Sequence, residues 1–282
     1  MHPVRTDLAD EAAGRLGGDA LRLKGLTLRR ETLGGAPLLA LEIRDPETAE
    51  KLGKPPGRYF TLELPAPLSR ASERFGAACS AVAEMIRRCG VPEEGGILVA
   101  ALGNPDITPD ALGPLCASSI LVTRHLKSGG GAALWRDFAS VSLLRTGVLG
   151  TAGVESALQI RALCRSVRPA LVIAVDALAG AEASRLCRSI QVCDSGIAPG
   201  SGVCNDRRRI DRALLGVPVI AVGVPTVTDA EALGGGEDCR GLFVTPRDID
   251  SSVRSCARVV PYGINLALHR GLSVEQIDAL VG

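Results

Sequence analysis

Aromatic side chains are scarce: four Phe, two Tyr and one Trp make up 2% of 282 residues. A core built from this chain must therefore rely on Val, Ile, Leu and Ala. That suits strands buried on both faces beneath Ala-rich helices. A surplus of either charge is also missing, since 32 Lys and Arg against 31 Asp and Glu leave a net +1. Such a balance gives no basis for direct nucleic-acid binding or for adhesion to an anionic membrane. No stretch reaches the ~20 apolar residues of a membrane span without a charge, Gly or Pro intervening. Met1-His2-Pro3-Val4-Arg5-Thr6-Asp7 lacks the apolar core of a secretion signal. The expectation is a soluble, cytoplasmic protein without membrane contact.

Paired cysteine motifs are absent as well. The nine cysteines stand at 79, 89, 116, 164, 187, 193, 204, 239 and 256. Their odd number and wide spacing, with no Cys-x-x-Cys, argue against a disulfide framework and against a zinc finger. They are expected to be small buried hydrophobes. The chain also has no Gly-x-x-x-x-Gly-Lys-Ser/Thr, no Gly-x-Gly-x-x-Gly and no Gly-x-Ser-x-Gly. That leaves the phosphate cradles and the serine-hydrolase elbow without support.

What is present is a 46% hydrophobic chain of a length that fits one large α/β domain. Three short apolar runs, 97–102, 171–175 and 217–222, are separated by helix-like sequence. That pattern predicts parallel strands buried on both faces. Helices are predicted over 71–88, 154–167 and 252–268. Between about 20 and 65, Leu21-Arg22-Leu23, Leu26-Thr27-Leu28, Leu38 to Ile43 and Arg58 to Leu64 read as extended. Gly34-Gly35 breaks them into a hairpin. This region is expected to form a small antiparallel β layer ahead of the main fold.

In open α/β sheets, ligands collect beyond the carboxyl ends of the strands. The first run is followed by Gly103-Asn104-Pro105-Asp106-Ile107-Thr108-Pro109-Asp110, and the second leads directly into Asp176. A carboxylate continuing an apolar strand is costly unless it is paired or placed at an opening. Two carboxyls at neighbouring strand ends can share one proton, so that one activates water while the other protonates a leaving amine. Plainer roles stay open: Asp110 as a helix N-cap and Asp176 as a strand-end cap. The loop Asp194-Ser195-Gly196-Ile197-Ala198-Pro199-Gly200-Ser201-Gly202 offers main-chain N–H groups to an oxyanion or a substrate backbone. His125 and His269 read as structural.

These strings occur in a characteristic order. They include Thr108-Pro109-Asp110-Ala111-Leu112-Gly113-Pro114, Thr123-Arg124-His125 and Gly150-Thr151-Ala152-Gly153-Val154-Glu155. Ile173-Ala174-Val175-Asp176-Ala177-Leu178-Ala179, Pro199-Gly200-Ser201-Gly202-Val203 and Asn265-Leu266-Ala267-Leu268-His269 follow. Colinear over nearly the whole chain, they resemble the spore germination protease family. The resemblance implies a three-layer α/β fold with a mostly parallel central sheet, similar to the hydrogenase maturation endopeptidases. It implies an endopeptidase that degrades small acid-soluble spore proteins, with Asp110 and Asp176 as its catalytic carboxylates. Asn104, His125, Glu155, Asp194, Ser195, Gly196, Gly200, Ser201 and Gly202 would line or support the cleft. No cofactor or metal is implied. The family is made as a zymogen, is homotetrameric and works in the forespore and spore core.

The family's self-processing point falls on Asp7–Leu8, giving a pro-segment of 1–7 and a protease domain of 8–282. Thr6-Asp7-Leu8-Ala9-Asp10-Glu11 resembles the Thr-Glu-apolar-Ala-x-Glu context of its substrates. Two stretches depart from the family pattern. The pro-segment is short, and a short Gly-rich link between Asp229 and Val244 replaces a long insertion. Two other readings use the same residues: a metallo-endopeptidase with Asp110, Asp176 and His125 as ligands, and a binder that holds spore proteins without cutting them.

Overall fold

A computed structural model describes residues 6–17, 22–128, 133–203, 207–234, 239 and 241–281. Residues 1–5 of the expected pro-segment, Leu21, Cys204 and residues 235–238 of the Gly-rich link lie outside them. Helix α1 (Ala9–Gly14) is followed by strands β1 (Leu26–Leu33) and β2 (Ala36–Ile43), helix α2 (Pro46–Leu52) and strand β3 (Gly57–Glu63). Then come α3 (Phe75–Gly90), β4 (Gly96–Ala101), α4 (Leu112–Ala117), β5 (Ser140–Arg145), α5 (Leu149–Ala152) and α6 (Ser156–Val167). The chain continues through β6 (Leu171–Gly180), β7 (Ser189–Cys193), α7 (Arg212–Leu215), β8 (Val219–Asp229) and β9 (Phe243–Val244). It closes with α8 (Ile249–Leu268) and α9 (Val274–Val281).

One sheet runs β1-β2-β3-β7-β8-β6-β4-β5, with β9 paired to the end of β8. Strands β5, β4, β6 and β8 are mutually parallel. The first three strands are antiparallel, as expected, and β3 pairs with β7. The N-terminal β region therefore extends the main sheet rather than lying apart from it. Gly34 and Gly35 make its hairpin turn, both at positive φ (59° and 75°). That is the backbone a two-residue turn needs to match the strand twist. Arg22 and Leu23 do not join the sheet.

The central strands alternate between two apolar clusters. Val99, Ile173, Val175, Ile220 and Val222 face α3, α4 and α8. Leu98, Leu102, Val172, Ala174, Leu178 and Ala221 face α1 and α6. Helices thus cover both faces, and the fold is a three-layer α/β sandwich. Among the described cysteines all but Cys239 are buried, packed as small apolar groups. No helix among the described residues is long and apolar enough to cross a membrane.

Two strand limits differ from the sequence expectation. β6 does not stop at Asp176 but continues to Gly180, because β8 also runs on, to Asp229, and keeps it paired. A bulge between Leu178 and Ala179 marks the extension. β5 and β7 were not anticipated, since Ser140, Ser142, Ser189 and Gln191 interrupt their apolar pattern.

Candidate active site

Asp176 points toward the same face as Val172, Ala174 and Leu178, and its side chain is buried, with 4% of the residue exposed. It is mid-strand with respect to β8 but at an edge with respect to β4, which ends at Ala101 opposite Val175. Leu102 makes the last contact, its N–H donating to the Val175 carbonyl at 2.8 Å. Beyond it the place beside Asp176 is taken by the turn carrying Asp110.

Glycines allow that approach. Gly103 has φ +116°, and a Cβ there would lie 2.0 Å from the Asp110 carbonyl oxygen. In α4, a Cβ on Gly113 would lie 2.1 Å from the Leu102 carbonyl and 2.9 Å from that of Val175. The helix therefore rests directly on the end of β4 and on the middle of β6. Asp110 closes a short 3-10 turn, Thr108–Asp110. Its Oδ2 accepts the Asn104 N–H at 2.9 Å. The Thr226 hydroxyl of β8 donates to the Pro109 carbonyl at 2.7 Å, fixing the turn from the other side. The N-cap of α4 is Ala111, without a side-chain cap, so Asp110 is not spent on that plainer role.

Burial pushes the Asp110 carboxyl above the usual carboxylate range, with the Asn104 amide and Arg207 opposing. Asp176 is raised well above that range. Burial is the main cause, the charges of Asp110 and Asp7 add to it, and the Ala177 N–H and Arg207 oppose it. Burial of both carboxyls and the charge of Asp110 on Asp176 thus disfavour ionising the two together. Asp176 is the deeper of the two and is pushed up the more strongly. Such a pair can supply a general base and a general acid together.

The chain's own N-terminal segment enters this cleft, which has a volume of about 310 Å³ and is lined by Asp7, Asp110, Asp176, Gly200 and Arg207 among others. The Asp7 N–H donates to the Ala179 carbonyl at 2.8 Å, and its carboxylate accepts from the Ala179 N–H at 2.8 Å and the Ser201 hydroxyl at 2.7 Å. Lys54 Nζ donates to the Thr6 carbonyl at 2.9 Å. Gly202 makes room: a Cβ there would lie 2.5 Å from Asp7 Oδ2 and 2.4 Å from the Ala179 Cβ. Leu8 is completely buried in the α1-side cluster. A carboxylate side chain is thus seated in a fitted cradle in the cleft that also holds the Asp110 and Asp176 carboxyls.

The family model for germination protease matches residues 6–238. The germination protease of Caldanaerobacter subterraneus subsp. tengcongensis is 35% identical, over 99% of this chain and 98% of its own length. That of Clostridium perfringens is 32% identical, over 99% of both chains. One from Bacillus cereus is 38% identical, over 98% of this chain and 77% of its own. The chain belongs to the germination protease family.

Within this germination protease family fold, the other residues named from sequence take several positions. Glu155 stands at the start of α6, beside the cleft-lining Ser156, with Arg208 Nε 3.5 Å from its Oε2. Gly200, at φ +74°, lines the cleft itself. Ser195 and Gly196 line a neighbouring cavity of about 120 Å³ that also touches Asp7, Lys54, Gln191 and Gly223. Gly196 is there by necessity, because a Cβ would lie 2.3 Å from the Ile210 carbonyl. Asp194 works on the fold, accepting from the Arg58 main-chain N–H and from Arg58 Nε, each at 2.7 Å.

His125 is separate from all of these. It is exposed, in the turn Arg124–Ser128. The preceding Thr123 bonds to Val141 near the start of β5, and Arg124 packs near Gly96 at the start of β4. The carboxylates lie at the opposite ends of these strands, so His125 does not join them. Among the described residues no cluster of three or more His, Cys, Asp or Glu is placed to hold a metal ion. His269 is buried at the C-cap of α8, against the Phe138 ring.

Sequence reasoning missed Lys54, Arg207 and Gln191, and reached Thr226 only as the end of the third apolar run, Gly223-Val224-Pro225-Thr226. Of the three missed, only Gln191 carried a local signal. In Ser189-Ile190-Gln191-Val192-Cys193 the polar residues alternate with Ile and Val, which puts Gln191 on one face of a strand.

Proposed function

We propose that this chain is an endopeptidase that begins the breakdown of small acid-soluble spore proteins at germination, using Asp110 and Asp176 to activate water. The observation that carries this reading is that the two carboxyls line one cleft beside a cradle filled by an acidic residue of the chain itself. Ionised Asp110 takes a proton from water as its oxygen attacks the substrate carbonyl. Protonated Asp176 gives a proton to the leaving amine. The chain is made as a zymogen in the forespore and cuts itself between Asp7 and Leu8. The mature form acts in the spore core as a homotetramer.

The test is cleavage of a peptide containing Thr-Glu-Ile-Ala-Ser-Glu by protein trimmed to start at Leu8. Wild type should cut after the first Glu. Asp110→Asn and Asp176→Asn should each lose at least ~10²–10⁴-fold in kcat, the range carried by a positioned acid or base. Chelator should leave the rate unchanged. Full activity in either variant, or none in wild type, removes the two-carboxylate protease.

A further inference from the structure

Gln191 of β7, Gly223 of β8 and Asp176 of β6 lie in one cross-strand row: Gln191 pairs with Gly223, and Gly223 with Asp176. Residues in register across a sheet point to the same face, so Asp176 and Gln191 rise on the α1 side, two strand spacings or about 10 Å apart. Gly223 keeps the middle of the row bare. A Cβ there would lie 2.5 Å from the Leu178 side chain.

The N-terminal segment is held over this row. Gln191 Nε2 donates to the Asp7 carbonyl at 3.2 Å, and Gln191 Oε1 accepts the Ala9 N–H at 2.8 Å. One buried amide therefore straddles the Asp7–Leu8 bond, gripping the carbonyl just before it and the second N–H after it. Its orientation is dictated by its partners, because a carbonyl can only accept and an N–H can only donate.

We infer that Gln191 is the hydrogen-bond donor to the carbonyl oxygen of the cleaved bond, and so a catalytic residue of this enzyme. The inference rests on Asp7–Leu8 being the self-processing site. Water oxygen bonds to the Asp7 carbonyl carbon and gives up a proton to the ionised carboxylate. The carbonyl oxygen takes up the displaced electron pair while Gln191 Nε2 donates to it. The C–N bond to Leu8 then breaks, its nitrogen gaining the proton of the second carboxyl. The products are a carboxyl on Asp7 and a free amine on Leu8. A donor held at the oxygen before the reaction begins needs no reorganisation as charge develops there. Once residues before Leu8 depart, the same donor is vacant for the carbonyl of a substrate.

The experiment compares full-length wild type, Gln191→Glu and Gln191→Met by intact mass over time. The same three chains, trimmed to begin at Leu8, are then assayed for kcat and KM on the peptide above. Gln191→Glu keeps the acceptor for the Ala9 N–H and loses the donor. Gln191→Met keeps the volume and loses both. The expected result is a drop of ~10²–10³-fold in self-processing and in kcat for both variants, with KM nearly unchanged. The deficit of Gln191→Glu, and not that of Gln191→Met, should narrow toward acid pH, where a protonated carboxyl donates again. If wild type cuts at Asp7–Leu8 and Gln191→Glu does so at the same rate, Gln191 merely anchors α1 and the inference is wrong. If wild type cuts elsewhere, the processing reading fails by itself. The trimmed chains then decide: an unchanged kcat overturns the role of Gln191, and a lost kcat upholds it.

Discussion

At Asp176 a carboxyl interrupts a strand otherwise made of Leu, Val, Ile and Ala. Burial, then the negative charges of Asp110 and Asp7, hold it well above its usual pKa. A carboxyl raised in the folded state binds more protons folded than unfolded between the two pKa values. Stability therefore falls as pH rises from about 4, the unfolded value, toward the folded one. Asp176→Asn removes the titrating group and keeps the shape. It should raise the melting temperature at pH 7 while changing it little at pH 4, as scanning calorimetry at both values will show. A wild-type-like Tm at pH 7 would mean that Asp176 is not strained by its surroundings. The position of Asp176 was legible because a lone acid in an apolar run is conspicuous. Gln191 was not, since a neutral amide in a short alternating strand resembles any half-buried polar residue until the register across Gly223 is seen.

Between elements, α3 and α8 form the most extensive helix–helix contact among the described residues. A Cβ on Gly263 in α8 would lie 2.5 Å from Val82 Cγ1 and 3.1 Å from the Cys79 carbonyl. Gly76, near the start of α3, would place its Cβ no closer than 4.0 Å to Val274. The same substitution should thus have opposite signs at the two sites. Gly263→Ala overpacks the interface and should cost about 1–3 kcal/mol. Gly76→Ala should be neutral or stabilising by up to about 1 kcal/mol, from helix propensity. Urea unfolding of both variants measures this, and equal effects would refute the packing argument. Elements whose periodicity is pure could be read from sequence: α3, α6, α8 and the cores of β4, β6 and β8. β5 and β7 could not, because serines break their apolar alternation and Gln191 faces Asp7 and Ala9, which are distant in the chain. The joining of β3 to β7, across some 130 residues, leaves no local trace either. Asp110 was found with Asp176 because both lie just past apolar runs. His125 was misplaced because a sequence shows that a loop borders the sheet but not at which end.

Across the whole molecule, the cleft that holds Asp110 and Asp176 is also the berth of the chain's N-terminal segment. Asp7 is fixed by Ala179 and Ser201, and its carbonyl by Gln191. The segment is anchored downstream by α1, where Asp10 pairs with Arg185 Nη1 at 2.6 Å in a nearly enclosed ion pair. A residue tethered one position from a buried anchor competes with free substrate as an intramolecular ligand. Effective concentrations for short tethers are on the order of millimolar, far above a micromolar peptide. Removing residues before Leu8 empties the cradle without touching Asp110 or Asp176. The trimmed chain should therefore cut peptide at least about tenfold faster than a full-length chain prevented from processing by Leu8→Pro. Proline at that position removes the N–H that donates to the Thr6 hydroxyl and resists cleavage, yet fits the extended backbone there, φ −77° and ψ 126°. Initial rates at one substrate concentration well below KM compare the two. Equal rates would show that substrate passes the seated Asp7 freely, and that the segment is a strut of the fold rather than a stopper in the cleft.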